Sequence, residues 1–121
     1  MKPIKKIKSF TVKRSRWARG EGMGSLLNEQ KKSCCLGFAC LAAGISVKDI
    51  AGQSMPDSIG VRIPLLTELY KHSETKKHLV TTRLSDKAAE INDDQEISDR
   101  VRERKLKSLF KQHDVEIGFV P

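Results

Sequence analysis

The chain has 121 residues, 38% of them apolar and 31% charged, and a formal net charge of +8. That length is one domain's worth and buries roughly two-thirds of the unfolded surface, so no second core is expected and no metal or disulfide is needed for folding. The charge favours anionic partners (nucleotides, nucleic acid, acidic protein surfaces, anionic lipid), and the mixing of charged with apolar residues argues against wholesale disorder.

The basic residues crowd the start. Lys2, Lys5, Lys6, Lys8, Lys13, Arg14, Arg16 and Arg19 precede any acid, while Asp86, Glu90, Asp93, Asp94, Glu96, Asp99 and Glu103 come much later. Residues 1–8 read as a basic N-terminal arm, either flexible or leading into a strand, ahead of a single domain over 9–121. No apolar stretch follows these lysines, so a signal peptide is not expected.

From Ser9 to Trp17 the pattern alternates. Phe10, Val12, Arg14 and Arg16 share one face of a strand, with Thr11, Lys13, Ser15 and Trp17 on the other. Gly20, Gly22 and Gly24 mark a turn region, and Leu26-Leu27 a short return strand. Ser33 is placed to cap a helix from Cys34 to Ala43 that is apolar on every side and therefore buried, with Gly44 ending it. Ser46 caps a second, brief helix through Ala51, stopped by Gly52. Pro64 suits the first turn of a helix running to about Tyr70.

Leu79–Leu84 reads as a strand and Ser85–Asn92 as a short helix. Ser98 caps an amphipathic helix to Gln112, its apolar stripe formed by Val101, Leu106, Leu109 and Phe110, with Asp99 favouring its N-terminus. Val115–Val120 alternates as a C-terminal strand. The fold class is α+β: a small mixed or antiparallel sheet of the Phe10–Trp17, Leu79–Leu84 and Val115–Val120 strands, packed against the buried helix and the C-terminal amphipathic helix. The longest apolar run, Cys34–Val47, is too short to span a bilayer, so no membrane partner is expected.

Two clusters carry candidate chemistry. In Lys13, Arg14, Arg16, Trp17, Arg19 and Gly20, guanidinium forks match phosphate oxygens and an indole face stacks on a base. No acid within the cluster neutralises it, which points to a ligand-binding site for an anion. The opposing expectation is a solvated strand face with Trp17 in the core. The glycines do not sit between a strand and a helix as a phosphate-binding loop requires.

The second cluster is Lys31-Lys32-Ser33-Cys34-Cys35. At a helix start the dipole and two lysines would favour a thiolate, making Cys34 or Cys35 a nucleophile with His78 as base, and His72 and His113 as weaker candidates. The bland alternative is that both cysteines are small buried hydrophobes. Cysteine spacing suits neither a zinc site nor a disulfide framework, and no cofactor is implied. Clustered free cysteines fit a reducing cytoplasm.

Trp17-Ala18-Arg19-Gly20, Leu26-Leu27-Asn28, Cys34-Cys35-Leu36-Gly37-Phe38, Asn92-Asp93-Asp94 with Ile97-Ser98-Asp99, and the closing Leu109-Phe110, His113 and Val115-Glu116-Ile117 together resemble small uncharacterised proteins encoded by phages and prophages. The resemblance spans most of the chain and carries over no catalytic residue. It implies a bacterial host cytoplasm and a role in disabling a host component or capturing a defence signal. The expected function is a non-catalytic binding protein for a nucleotide signal or nucleic acid. The alternatives are a cysteine-nucleophile enzyme and a protein-interaction inhibitor of a host enzyme.

Overall fold

A computed structural model describes residues 5–20, 25–59, 63–75 and 78–121. Side chains are described for these residues apart from 57, 69–75 and 78–81. The fold is α+β, with four strands and five helices in the described residues.

The sheet is the main departure from expectation. Strand β1 (Ser9–Lys13) pairs in parallel with β4 (Glu116–Val120), Phe10 opposite Ile117 and Val12 opposite Phe119. Strands β2 (Leu69–Thr75) and β3 (His78–Arg83) form a separate antiparallel hairpin. The three-stranded mixed or antiparallel sheet is thus replaced by two two-stranded sheets. The segment that follows Pro64 explains part of this. Helix α3 (Pro64–Thr67) has proline in its first turn but makes only that turn, and the chain is extended again at Glu68. Arg83 Nε donates to the carbonyl of Thr67, tying this early stop to the end of β3.

β1 is also shorter than its pattern. At Arg14–Arg16 the backbone folds into a 3₁₀ turn, closed by Trp17 N–H donating to Arg14 C=O at 3.2 Å. Continuous alternation would put Trp17 on the face opposite Phe10 and Val12. The turn shifts the phase, so Phe10, Val12 and Trp17 all enter the core while Arg16 stays exposed.

Helix α1 (Cys35–Ala42) is the buried helix, with Cys35, Leu36, Gly37, Ala39 and Cys40 inside and Leu41 at the surface. Its N-cap is Cys34, not Ser33, and no side chain caps it locally. Ser33 instead exchanges backbone hydrogen bonds across the Trp17 segment: its N–H donates to Arg16 C=O and its C=O accepts from Ala18 N–H, each at 2.9 Å. At the other end Gly44, at φ +94°, gives the expected stop. Its N–H donates to Leu41 C=O, and Ile45 N–H to Cys40 C=O, which is the hydrogen-bond pair of a Schellman cap. Leu26-Leu27 contributes no strand, only a bridge from Leu27 to Ala51.

Ser46 caps α2 (Val47–Ile50) through Asp49 N–H, and Ser98 caps α5 (Asp99–Lys111) through Val101 N–H, both as the sequence leads one to expect. Helix α4 (Leu84–Asp93) packs on α1, α3 and α5. The core lies between the inner face of the β1–β4 pair and helices α1, α4 and α5. Phe10 meets Phe110 edge-on, ring centroids 5.1 Å apart, and Trp17 lies 5.0 Å from Phe119. No helix among the described residues is long and apolar enough to cross a membrane.

Gly37 shows how close the packing is. A Cβ there would stand 2.0 Å from the backbone oxygen of Leu26 and 2.9 Å from Ser33 Cβ. Alanine is the better helix former by roughly 1 kcal/mol. Even so, Gly37→Ala is expected to destabilise the protein by about 3 kcal/mol or more, because backbone must move to admit the methyl. Thermal unfolding tests this; an unchanged or raised Tm would show that Leu26 does not lie against this helix.

Candidate functional site

The arginine–tryptophan cluster is built into the scaffold. Trp17 is 1% exposed. Its indole N–H donates to Asn92 Oδ1 at 2.7 Å, and Phe119 and the Arg19 guanidinium, 4.8 Å from the ring centroid, lie against its rings. A buried, covered indole offers no face to a base.

The expectation that no acid neutralises the cluster is corrected by α5. Arg14 holds Glu103 through two hydrogen bonds, Nε to Oε2 at 2.9 Å and Nη2 to Oε1 at 2.7 Å. Arg19 holds Asp99 Oδ2 at 2.9 Å and also donates to the carbonyls of Arg14 and Trp17. The acids stand eighty and eighty-nine positions downstream of their arginines, so their neutralising effect is invisible locally. The arginines hold both carboxyls below the usual carboxylate range: hydrogen bonding from Arg19 acts on Asp99, with Arg102 adding to it, and hydrogen bonding from Arg14 acts on Glu103.

Gly20 has a structural reason of its own. It sits at φ +67°, and an added Cβ would lie 3.0 Å from Arg102 Nη2. Arg102 is 3% exposed, pairs with Asp99 and donates to the carbonyls of Asp94 and Ile97. Gly20 therefore clears room for a buried arginine rather than for a phosphate. Lys13 and Arg16 are exposed, and Gly22 and Gly24 lie outside the described residues.

Asn92, which the sequence marks only as a helix end and as part of a resembling segment, organises this region. It is fully buried. Its Oδ1 accepts from Trp17 Nε1 and from Cys35 N–H at 3.0 Å; its Nδ2 donates to Ala18 C=O and Asp93 Oδ1, each at 2.9 Å. The Cys35 amide, one of the orphan donors at the start of α1, is thus capped from α4. A mid-chain asparagine before two aspartates gives no local signal of this role.

The thiols do not meet the requirements of a nucleophile. Cys34, Cys35 and Cys40 are free and buried. Burial pushes Cys34 up to about 11, Cys40 up to about 12 and Cys35 well above the ordinary thiol range; Asp93 pushes Cys34 and Cys35 the same way. Desolvation outweighs the dipole, and Lys31 and Lys32 are exposed. His78 lies in β3 and His72 in β2, but their side chains are outside the described residues. No group of three or more His, Cys, Asp or Glu among the described residues is placed to hold a metal.

The structure brings together a different site. A groove of about 900 Å³ is lined by Lys5, Ile7 and their neighbours Lys6 and Lys8, by Ile63-Pro64-Leu65 at the start of α3, and by His113-Asp114 after α5. The described part of the basic arm is docked: Ile7 is buried, Lys5 N–H donates to Ala43 C=O and Lys8 C=O accepts from Glu116 N–H. Lys5, Lys6 and Lys8 are exposed, with no ion-pair partner among the described residues. Partial burial keeps His113 below the ordinary histidine range, against the opposing pull of Asp114, whose backbone is left-handed at φ +61°. A polar rim over an apolar floor, at this volume, suits a small ligand; such pockets span about 300–1,000 Å³.

No family model matches the chain, and no curated protein or solved structure matches it either.

Two outcomes test this account. Asn92→Ala orphans two buried donors, and at about 1–3 kcal/mol each it is expected to cost about 3 kcal/mol in urea unfolding; a loss below about 0.5 kcal/mol would remove Asn92 from its place here. Iodoacetamide labelling of the folded protein at pH 7 should modify no thiol at the rate of free cysteine, whose pKa is about 8.5. Rapid labelling of Cys34 or Cys35 without denaturant would restore them as nucleophile candidates.

Proposed function

We propose that this chain is a non-catalytic binding protein for a phosphate-bearing small molecule, held in the groove between the Lys5–Lys8 segment, the start of α3 and the His113-Asp114 turn. The observation that carries the reading is three exposed lysines beside an apolar floor in a compact groove of about 900 Å³. Lysine ammonium groups are suited to phosphate as point charges. Ile7, Ile63 and Leu65 offer apolar contact to a base or another planar ring. A compact groove favours a nucleotide over an extended nucleic acid, which needs a continuous basic track.

This moves the candidate binding residues from Arg14, Trp17 and Arg19, which have protein partners, to Lys5, Lys6 and Lys8. The buried thiols lend no support to a cysteine-nucleophile enzyme. Taken with the resemblance to phage-encoded proteins, the reading makes the chain a sequestering factor for a nucleotide signal in a bacterial host.

Calorimetric titration at low salt with adenosine triphosphate and with inorganic pyrophosphate tests the reading, with a single-stranded oligonucleotide as the extended comparison. Combined Lys5→Glu, Lys6→Glu and Lys8→Glu reversal is expected to weaken nucleotide binding by about tenfold or more, equivalent to about 1.4 kcal/mol. Arg16→Glu, away from the groove, should change it little. The proposal fails if none of the probes binds, or if Arg16→Glu abolishes binding while the lysine reversals do not.

A further inference from the structure

The geometry points to the open edge of β4 as a docking site for an extended acidic peptide, added to the β1–β4 pair as a third strand. This is independent of the groove at residues 5–8.

The edge follows from the register. Ser9 is opposite Glu116, and Glu116 N–H donates to Lys8 C=O. In a parallel pair the N–H and C=O of one residue face the same neighbour, and successive residues alternate sides. Glu116, Gly118 and Val120 therefore turn their backbone groups to β1. Ile117 and Phe119 turn theirs to the opposite edge, where no strand pairs with them among the described residues. A pair of five-residue strands with an unpaired edge is a template for strand addition.

The chemistry beside the edge selects the occupant. A groove of about 460 Å³ runs between β4 and α5, lined by Lys107, Ser108 and Lys111 from the helix and by Val115, Glu116 and Ile117 from the strand side. Lys107 and Lys111 are exposed, and Lys107 Nζ lies 5.8 Å from the Phe119 ring centroid. Glu116 is the one acid in this lining and Glu103, also near Lys107, is held by Arg14, so the groove is net positive. The lysines are one helical turn apart, about 6 Å along the axis. Alternate residues of a strand are about 6.7 Å apart and share a face. Acidic side chains at two alternate positions of an incoming strand thus match the two lysines. A second copy of β4 would bring its own Lys107 and Lys111 to the same seam, so an unlike, acidic partner is favoured.

The test uses the full chain and a fluorescein-labelled hexapeptide alternating glutamate and valine, with a lysine–valine hexapeptide as control. The acidic peptide is expected to bind and to slow amide hydrogen exchange at Ile117 and Phe119. Lys107→Glu with Lys111→Glu should weaken it by about tenfold or more, while Lys5→Glu, Lys6→Glu and Lys8→Glu reversal should not. N-methylation of alternate peptide amides should abolish binding on one set and spare it on the other, the mark of a strand ladder rather than charge alone. The proposal is overturned if the acidic peptide binds no better than the control, in which case the lysines only guard the edge. It is equally overturned if both N-methylated sets bind alike, or if Ile117 and Phe119 are already protected in a dimer.

Discussion

The carboxamide of Asn92 joins the parts of the chain that everything else is positioned from. One side group from the end of α4 receives the Trp17 indole N–H, receives the first amide of α1, and donates to the carbonyl of Ala18. Its own backbone carbonyl accepts from Gly20 N–H at 2.8 Å. A buried amide is stabilising only when its donors and acceptor are all met, and here they are. Because the carboxamide has fixed geometry, meeting them sets the angle at which the 17–20 segment crosses α1 and α4.

That crossing has an electrostatic consequence. With Trp17 pinned, Arg14 and Arg19 lie on either side of it, within reach of Glu103 and Asp99 on α5. Arg102, four residues after its cap Ser98, fills the space beneath Gly20 and holds the carbonyls between α4 and α5. The acid-free start of the chain is therefore divided. Arg14 and Arg19 are used to clamp α5, while Lys5, Lys6, Lys8, Lys13 and Arg16 stay exposed at the surface.

Burial also decides the thiols. A helix start with two lysines before it looks like a place to stabilise a thiolate. Once α1 is the central helix, removal of water dominates, and Asp93 adds to it by opposing ionisation of Cys34 and Cys35. The same burial makes Gly37 necessary, since Leu26 backbone passes directly over the helix.

Local chemistry was legible wherever a residue acts on its own neighbours. The caps at Ser46 and Ser98, the stops at Gly44 and Gly52, the proline start of α3, the buried α1 and the amphipathic α5 all follow from short-range hydrogen bonding, backbone freedom and periodicity. The alternation of Val115–Val120 likewise marked β4 to within one residue. Tertiary structure alone decided the pairing of β1 with β4, the turn that shifts Trp17 into the core, the hairpin at β2 and β3, and which cations keep their charge free. The hairpin apart, whose partners lie close in sequence, these depend on groups brought together from distant parts of the chain: Glu103 to Arg14, Asp99 to Arg19, Asn92 to Trp17 and Cys35. A sequence records such partners only as separate residues, because the distance that makes them interact exists only after the chain has folded.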